Sequence, residues 1–346
     1  VTRIDNRDPG PRPGRWLLPV SLLGAVCMVV LVTGWLLTDP SVSKADALKT
    51  GGLAGGAILA LYGLWINDRR RRTEEARHEV ERARAELDRD KTSDERFAKS
   101  VELLGHQADQ VRVGALHALA GLARNRPDYT QTVLDVLCSY LRRPFTHPGY
   151  DMLPEDPDQA TPDPDDAWPA DEIATADRER QVRRTAQRLI ADLLPSVADD
   201  QPTLYDLDLT SANVEYLDLT GRQIGWFTAR RARFYGISRL ASLRVQRRAL
   251  FSGARFHGRT DFYRARFDGG LSFRDTRFDG ILRLIHAVVS DFVDLKTPAP
   301  ARLEGWLTHT EGTAVRLEER TQWVIKPEPA TCERCATDDH PTIRPW

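Results

Sequence analysis

Three patterns of apolar and polar positions succeed one another along this chain. The first is unbroken apolarity. Leu17 to Leu37 is 21 residues without a formal charge, and a weaker stretch, Leu48 to Ile66, is uncharged after Lys49. About 20 apolar residues cross a bilayer core as a helix, so this pattern predicts two transmembrane helices within 16–66. A cleaved signal peptide is the alternative, but the first run is long for a signal core and the second follows closely. Arg3, Arg7, Arg12 and Arg15 precede the first run, Arg69 to Arg72 follow the second, and only Lys44 and Lys49 lie between. Basic residues stay on the cytoplasmic side. The expectation is a multi-pass protein of the cytoplasmic membrane, with the tail 1–15 and the bulk of the chain both inside. Gly51, Gly52, Gly55 and Gly56 set small residues four apart, which suits packing against the first span or homodimerisation.

The second pattern is helical. Residues 67–92 are highly charged, and Thr73, Ala76, Val80, Ala83 and Leu87 recur at spacings of three and four, predicting a solvated helical stalk. From 93 to 202 the apolar period is again helical. Ser93 or Asp94 can cap a helix burying Phe97, Val101 and Leu104; a second buries Val113, Leu116, Leu119 and Leu122; a third buries Val133, Val136, Leu137 and Leu141. A fourth, near Asp171 to Leu194, buries Val182, Ala186, Leu189, Ile190 and Leu193. Such an α-helical, helical-repeat-like region usually binds proteins. It is interrupted by 144–170, with seven prolines, many acids and no lysine or arginine, expected to be a disordered loop. Its "PDPDD" lacks the glycine turn and closing glutamate of a calcium loop.

The third pattern has a period of eleven. Phe234, Val245, Phe256, Phe267 and Phe278 stand eleven apart, as do Leu240, Phe251, Phe262, Phe273 and Leu284. Upstream, Leu209, Val214, Leu219 and Ile224 are five apart, and Ala229 continues them. An eleven-residue repeat also suits a right-handed helical supercoil. Yet Gly225, Gly236, Gly253, Gly258, Gly269, Gly270 and Gly280 would each cost such a helix about 1 kcal/mol relative to alanine. Positions five and six apart also spread around a helix, and a strand needs a period of two. A coil that turns a corner every five or six residues satisfies both the spacing and the glycines.

The units "SANVE" (Ser211 to Glu215), "LDLTG" (Leu217 to Gly221) and the recurring "ARF" resemble the pentapeptide-repeat family. The resemblance covers 203–286, roughly four coils, and implies an all-β right-handed quadrilateral β-helix. By the family's pattern, Leu209, Val214, Leu219, Ile224, Phe234, Val245, Phe256, Phe262, Phe267, Phe273 and Phe278 form the structural core of the repeats. The same pattern puts Ala212, Ala232, Ala254 and Ala265 in tight inner corners. Residues 287–346 are read as a C-terminal cap and tail. The front helices also resemble a region of membrane-attached members of the family.

Charge bears on what the outside of such a coil can bind. Arg222 to His286 carries 15 arginines, no lysine and four acids, Asp261, Asp268, Asp275 and Asp279. Some family members mimic DNA with an acidic surface; this surface is basic, so that activity is not carried over. A basic surface suits an anionic lipid surface, the acidic loop of the same chain or, as a lesser reading, nucleic-acid phosphates. Solvated arginine is the bland alternative, since only six of 49 basic residues are lysine. Four scattered cysteines suit a reducing compartment. "CERCATDDH" brings Cys332, Cys335 and His340 close together, half of a zinc site that His309 could complete, or a redox pair. No hydrolase elbow, dinucleotide fingerprint, zinc-protease motif or phosphate loop occurs. The expectation is therefore a membrane-tethered, non-enzymatic scaffold without a cofactor, binding a protein partner or the membrane surface. A metal or redox module at the C-terminus is the rival.

Overall fold

In the computed structural model, which describes residues 17–38, 44–154, 169–317, 323–326 and 342–345, the five- and six-residue spacing builds a four-faced parallel coil of about five turns. Face I stacks Leu207–Asp208, Phe227–Thr228, Ala249–Leu250, Leu271–Ser272, Phe292–Asp294 and Ala314–Arg316. Face II stacks Asn213–Glu215, Arg233–Tyr235, Arg255–Phe256 and Arg277–Phe278. Face III stacks Ser238–Arg239, Thr260–Asp261, Leu282–Arg283 and Leu303–Glu304. Face IV stacks Gln223–Ile224, Arg244–Val245, Arg266–Phe267, Ala287–Val289 and Leu307–His309.

Register explains the two periods. Leu207 pairs with Phe227, 20 residues on; Phe227 then pairs with Ala249, Ala249 with Leu271 and Leu271 with Val293, each 22 on. The eleven-residue repeat is half a coil. In eight of the five-residue intervals the chain turns through a left-handed residue at the same place: Ser211, Gly221, Arg231, Ser242, Gly253, Arg264, Asp275 and His286. Across each of these corners an amide donates to the carbonyl three residues back, as from Ala254 to Phe251 (2.9 Å) and from Ala265 to Phe262 (3.0 Å). Left-handed φ at the third position of such a turn is the type II geometry. The six-residue intervals spend their extra residue on a looser corner.

The alternation decides which side chains fit inside. Ala212, Ala232, Ala254, Ala265 and Ala287 follow the tight corners and are buried, while Leu207, Phe227, Leu271 and Val293 occupy the equivalent position after looser ones; Leu243 and Ala249 reverse the rule. Of the eleven residues assigned to the axis, ten are at most 1% exposed; Phe278 is half-buried and packs on the same cluster. Phe234 stacks on Phe256 at 4.3 Å and Phe256 on Phe278 at 5.1 Å, with rings nearly parallel. Fully burying each such side chain contributes about 1.5–3 kcal/mol. The ladder runs past His286 to Arg316, through residues assigned to a cap, because Val289 and Leu295 continue the two eleven-residue series and are buried. Beyond it, Thr342–Pro345 and Trp323–Lys326 add antiparallel strands to the outer edge of face IV.

The chain divides into two units, 1–90 and 91–346. Its helices are α1 (Leu17–Thr38), α2 (Lys44–Leu104), α3 (Asp109–Asn125), α4 (Thr130–Arg142) and α5 (Ala170–Leu193). Among the described residues no helix is long and apolar enough to cross a membrane, so the two expected spans are not supported. The second expected span is not a separate element. It is the start of α2, which runs on through Arg69–Arg72 and the charged stalk without a break. Nor does a new helix begin at Ser93, since capping residues do not end a helix that meets no glycine or proline. The last turns of α2 bury Ser100 and Leu104 and leave Val101 exposed, one position away from the expected face.

In the second unit, α3, α4 and α5 bury the expected stripes, apart from Val113, Leu122, Val136 and Leu193, which are half-buried. α4 packs on Leu207–Asp208 and α5 on Asn213–Glu215, so helices and coil share one core. The expected disordered loop is shorter than 144–170. Pro148–Met152 forms a 3-10 turn, Tyr150 stacks on Tyr235 at 4.3 Å, and Tyr216 donates to the Pro154 carbonyl at 2.9 Å. Only 155–168 of that segment lies outside the described residues.

Two glycine substitutions separate corner packing from helix propensity. A Cβ at Gly258 would overlap the backbone of Gly236, and one at Gly280 would lie 2.5 Å from the Gly258 backbone. Gly258→Ala is expected to destabilise the coil by about 1–3 kcal/mol. Gly121→Ala in α3, with nothing within 4 Å of the new atom, stabilises by up to about 1 kcal/mol. Thermal denaturation of both variants, with opposite shifts of midpoint, is the check.

Candidate interaction surfaces

With its axis filled by side chains, the coil has chemistry only outside and at its ends. At the N-terminal end, Arg183 of α5 is 2% exposed. α4 stops at Arg142, leaving its last carbonyls without helical partners. Arg183 donates to two of them, those of Tyr140 (3.4 Å) and Leu141, to the carbonyl of the following Arg143 (3.4 Å), and to the Asn213 carbonyl of the first coil at 3.2 Å. Its guanidinium lies 5.1 Å from the Phe145 ring centre, and Glu179 is 4.0 Å away. Burial lowers its pKa from the ordinary range.

Around it, Arg180 and Arg184 reach Glu215, at 2.6 and 3.5 Å. Tyr140 donates to Glu179 at 3.0 Å, and Arg112 pairs with the same carboxylate. His147 accepts from the Gly149 amide at 3.0 Å through Nδ1, leaving Nε2 to donate to Asp177, also at 3.0 Å. These contacts hold helices to coil. Beside them a groove of about 670 Å³ is lined by Arg184, Arg188, Glu215, Tyr216, Asp218 and Arg222, with charges of both signs.

The basic surface is partly neutralised across coils. Asp268 pairs with Arg244 at 2.9 Å, Asp279 with Arg255 at 2.7 Å, Asp261 with Arg283 at 3.3 Å, and Arg274 with Asp294 at 2.8 Å. Arg264, Arg266 and Arg277 of later coils are exposed without a carboxylate partner among the described residues, and the densest such group is in the second coil, where Arg230, Arg231 and Arg233 follow the exposed Trp226. His257 is half-buried rather than exposed: it stacks on Tyr235 at 4.5 Å and lies 3.3 Å from Asp279.

Cys332, Cys335 and His340 lie outside the described residues. His309, their suggested partner, is buried on face IV. Among the described residues no group of three or more histidines, cysteines or acids could hold a metal ion. Sequence reasoning missed Arg183, Tyr150 and Trp226. Arg183 alone had a signal, because it stands three and seven residues before Ala186 and Ile190 on the buried stripe of α5.

Residues 229–288 match the family model described as Pentapeptide repeats (9 copies). That stretch is a pentapeptide-repeat β-solenoid. No curated protein and no solved structure matches the chain.

Two outcomes follow from the junction. Arg183→Ala removes the side-chain donor shared by the carbonyls of Tyr140, Leu141, Arg143 and Asn213, and is expected to cost about 3–5 kcal/mol. Exposed Arg233→Ala stays within about 0.5 kcal/mol; urea denaturation compares them. Burial pushes the Cys138 thiol from 9.0 up to about 12. Burial, with Glu179 alongside, pushes the Tyr140 phenol from 10.0 to about 12. Both keep their protons in the folded state at a pH where the unfolded chain loses them. Their stabilisation is whole below about pH 9 and is lost as pH rises to about 12. Thermal midpoints measured against pH should fall across that window and stay level with respect to these groups at neutral pH.

Proposed function

We propose that this chain is a membrane-attached, non-enzymatic scaffold whose solenoid and capping helices bind a protein partner or an anionic membrane surface. The observation that carries the binding role is the filled axis. Phe227, Phe251, Phe256, Phe262 and Phe273 are fully buried, so the coil offers an ordered outer surface and little interior for a substrate. Attachment draws on α1, which has no charged residue in 22 and exposes Leu23, Met28, Leu31 and Trp35. Exposed apolar side chains in such a run favour lipid. The arginines flanking 16–66 favour a cytoplasmic position for the rest of the chain.

Fractionation of cells expressing the full chain tests attachment. The protein is expected in the membrane pellet after alkaline carbonate extraction, and release into the supernatant removes the anchoring part of the reading. Crosslinking in intact membranes tests the scaffold role, with a stoichiometric partner captured through the second unit as the expected result. Turnover of a substrate by purified protein would overturn the non-enzymatic reading.

A further inference from the structure

Phe227 and Ala229 fill the axis, so Trp226, Thr228 and Arg230 face outward on face I of the second coil. The ladder sets the Arg248 backbone beside Trp226, since the Phe227 amide donates to the Arg248 carbonyl at 3.0 Å, while the Arg248 guanidinium extends the other way, to 5.9 Å from the Phe292 ring centre. At the next corner Arg231 takes the left-handed conformation, and its stem passes over Gly253, 3.3 Å from where a Cβ would be. Arg233 then opens face II in register with Arg255. From Phe227 to Arg248 the chain has seven arginines and no acid.

Neighbouring coils relieve two of the seven: Arg247 pairs with Asp206 and Arg244 with Asp268. Arg230, Arg231, Arg233 and Arg248 have no carboxylate partner among the described residues. Rungs lie about 4.8 Å apart, and like charges so close are destabilising. The fold does not require them. The first coil has Thr210, Ser211 and Asn213 at the corner, the third has Ser252 and Gly253 before Arg255, and the fourth has Arg274, paired with Asp294, before Arg277, so later coils keep arginine at the Arg233 position while none repeats the unpaired Arg230–Arg231 pair. Trp226, at 41%, is also the one large apolar side chain counted as exposed between Leu207 and Arg316.

We infer that Trp226, Arg230, Arg231 and Arg233 form a docking surface for the phosphate headgroups of an anionic lipid bilayer. Tryptophan settles at headgroup depth, with its ring toward the chains and its N–H toward water. Guanidinium groups take phosphate oxygens two at a time. Headgroups are laterally mobile and adjust to arginines spread over a corner and two faces. A single-stranded nucleic acid calls for several aromatic platforms along a groove, and this surface has one exposed aromatic, Trp226. The inference deepens the reading of the solenoid as a binding surface and does not depend on α1.

The test uses the full chain in nanodiscs of phosphatidylcholine, alone or mixed with phosphatidylserine. Hydrogen exchange over 226–233 is expected to slow only with phosphatidylserine and to recover at high salt. Brominated lipid should quench a fluorescence component that Trp226→Phe removes. Replacing Arg230, Arg231 and Arg233 together with glutamine should weaken the contact about a hundredfold, at roughly fivefold per residue, with a thermal midpoint no lower than that of the parent. Equal protection in both lipids, or protection that survives the triple change, overturns the inference. Protection conferred by a single-stranded oligonucleotide and not by lipid also overturns it. If the chain does not enter neutral nanodiscs, attachment through α1 fails. Flotation with phosphatidylserine vesicles then tests the arginine surface alone: cofloating that the triple change abolishes supports it, and none refutes it.

Discussion

Each coil must lie in register on the one before it, and the other features of the solenoid follow from that requirement. Parallel strands of two or three residues gain little singly; they persist here because every rung is bonded above and below. Register survives only if each corner falls at the same place, which restricts the corners to residues that accept left-handed φ or leave room for close backbone approach. Gly236, Gly258 and Gly280 form one such column, and the buried alanines another. Non-glycine residues such as Arg231 and Arg264 also take the left-handed turn, at about 1–2 kcal/mol each. Continuous phenylalanine packing along the axis offsets that strain.

A ladder also has ends, and an open end exposes both apolar axis and unpaired amides. At the N-terminal end, α4 and α5 close the axis, and one buried guanidinium joins the end of α4 to the first coil. The arrangement turns two liabilities, the orphan carbonyls of a helix and of a strand, into partners of a single cation. At the other end, face IV is continued by antiparallel strands.

The axis was legible because its residues repeat, and repetition within one chain substitutes for an alignment. Leu209 to Phe278 could be placed by counting. What could not be counted stayed hidden. Tyr150 looks like part of an acidic, proline-rich loop, and its stacking partner, Tyr235, is 85 residues away. Arg183 stands on the buried stripe of α5, but its partners, the carbonyls at the end of α4, show only once the two helices are packed. Ser93 and Asp94 have the chemistry of a helix start, yet the helix passes through them, since capping residues favour a boundary without imposing one. The fifth coil escaped notice because Pro298 and Pro300 replace its face II strand while the apolar series continues beneath them.

The first coil is 20 residues long and the next ones 22, and α5 is bonded to the shorter one through Arg183, Arg180 and Gln187, while Tyr150 reaches one turn further to Tyr235. The longer turns are thus interchangeable units between fixed ends. Gain or loss of a whole turn would change the reach of the molecule by about 4.8 Å and leave both termini of the stack as they are. Gain or loss of eleven residues would keep the axis filled but rotate every surface beyond that point by half a revolution. The molecule is a ruler whose length and facing can vary separately.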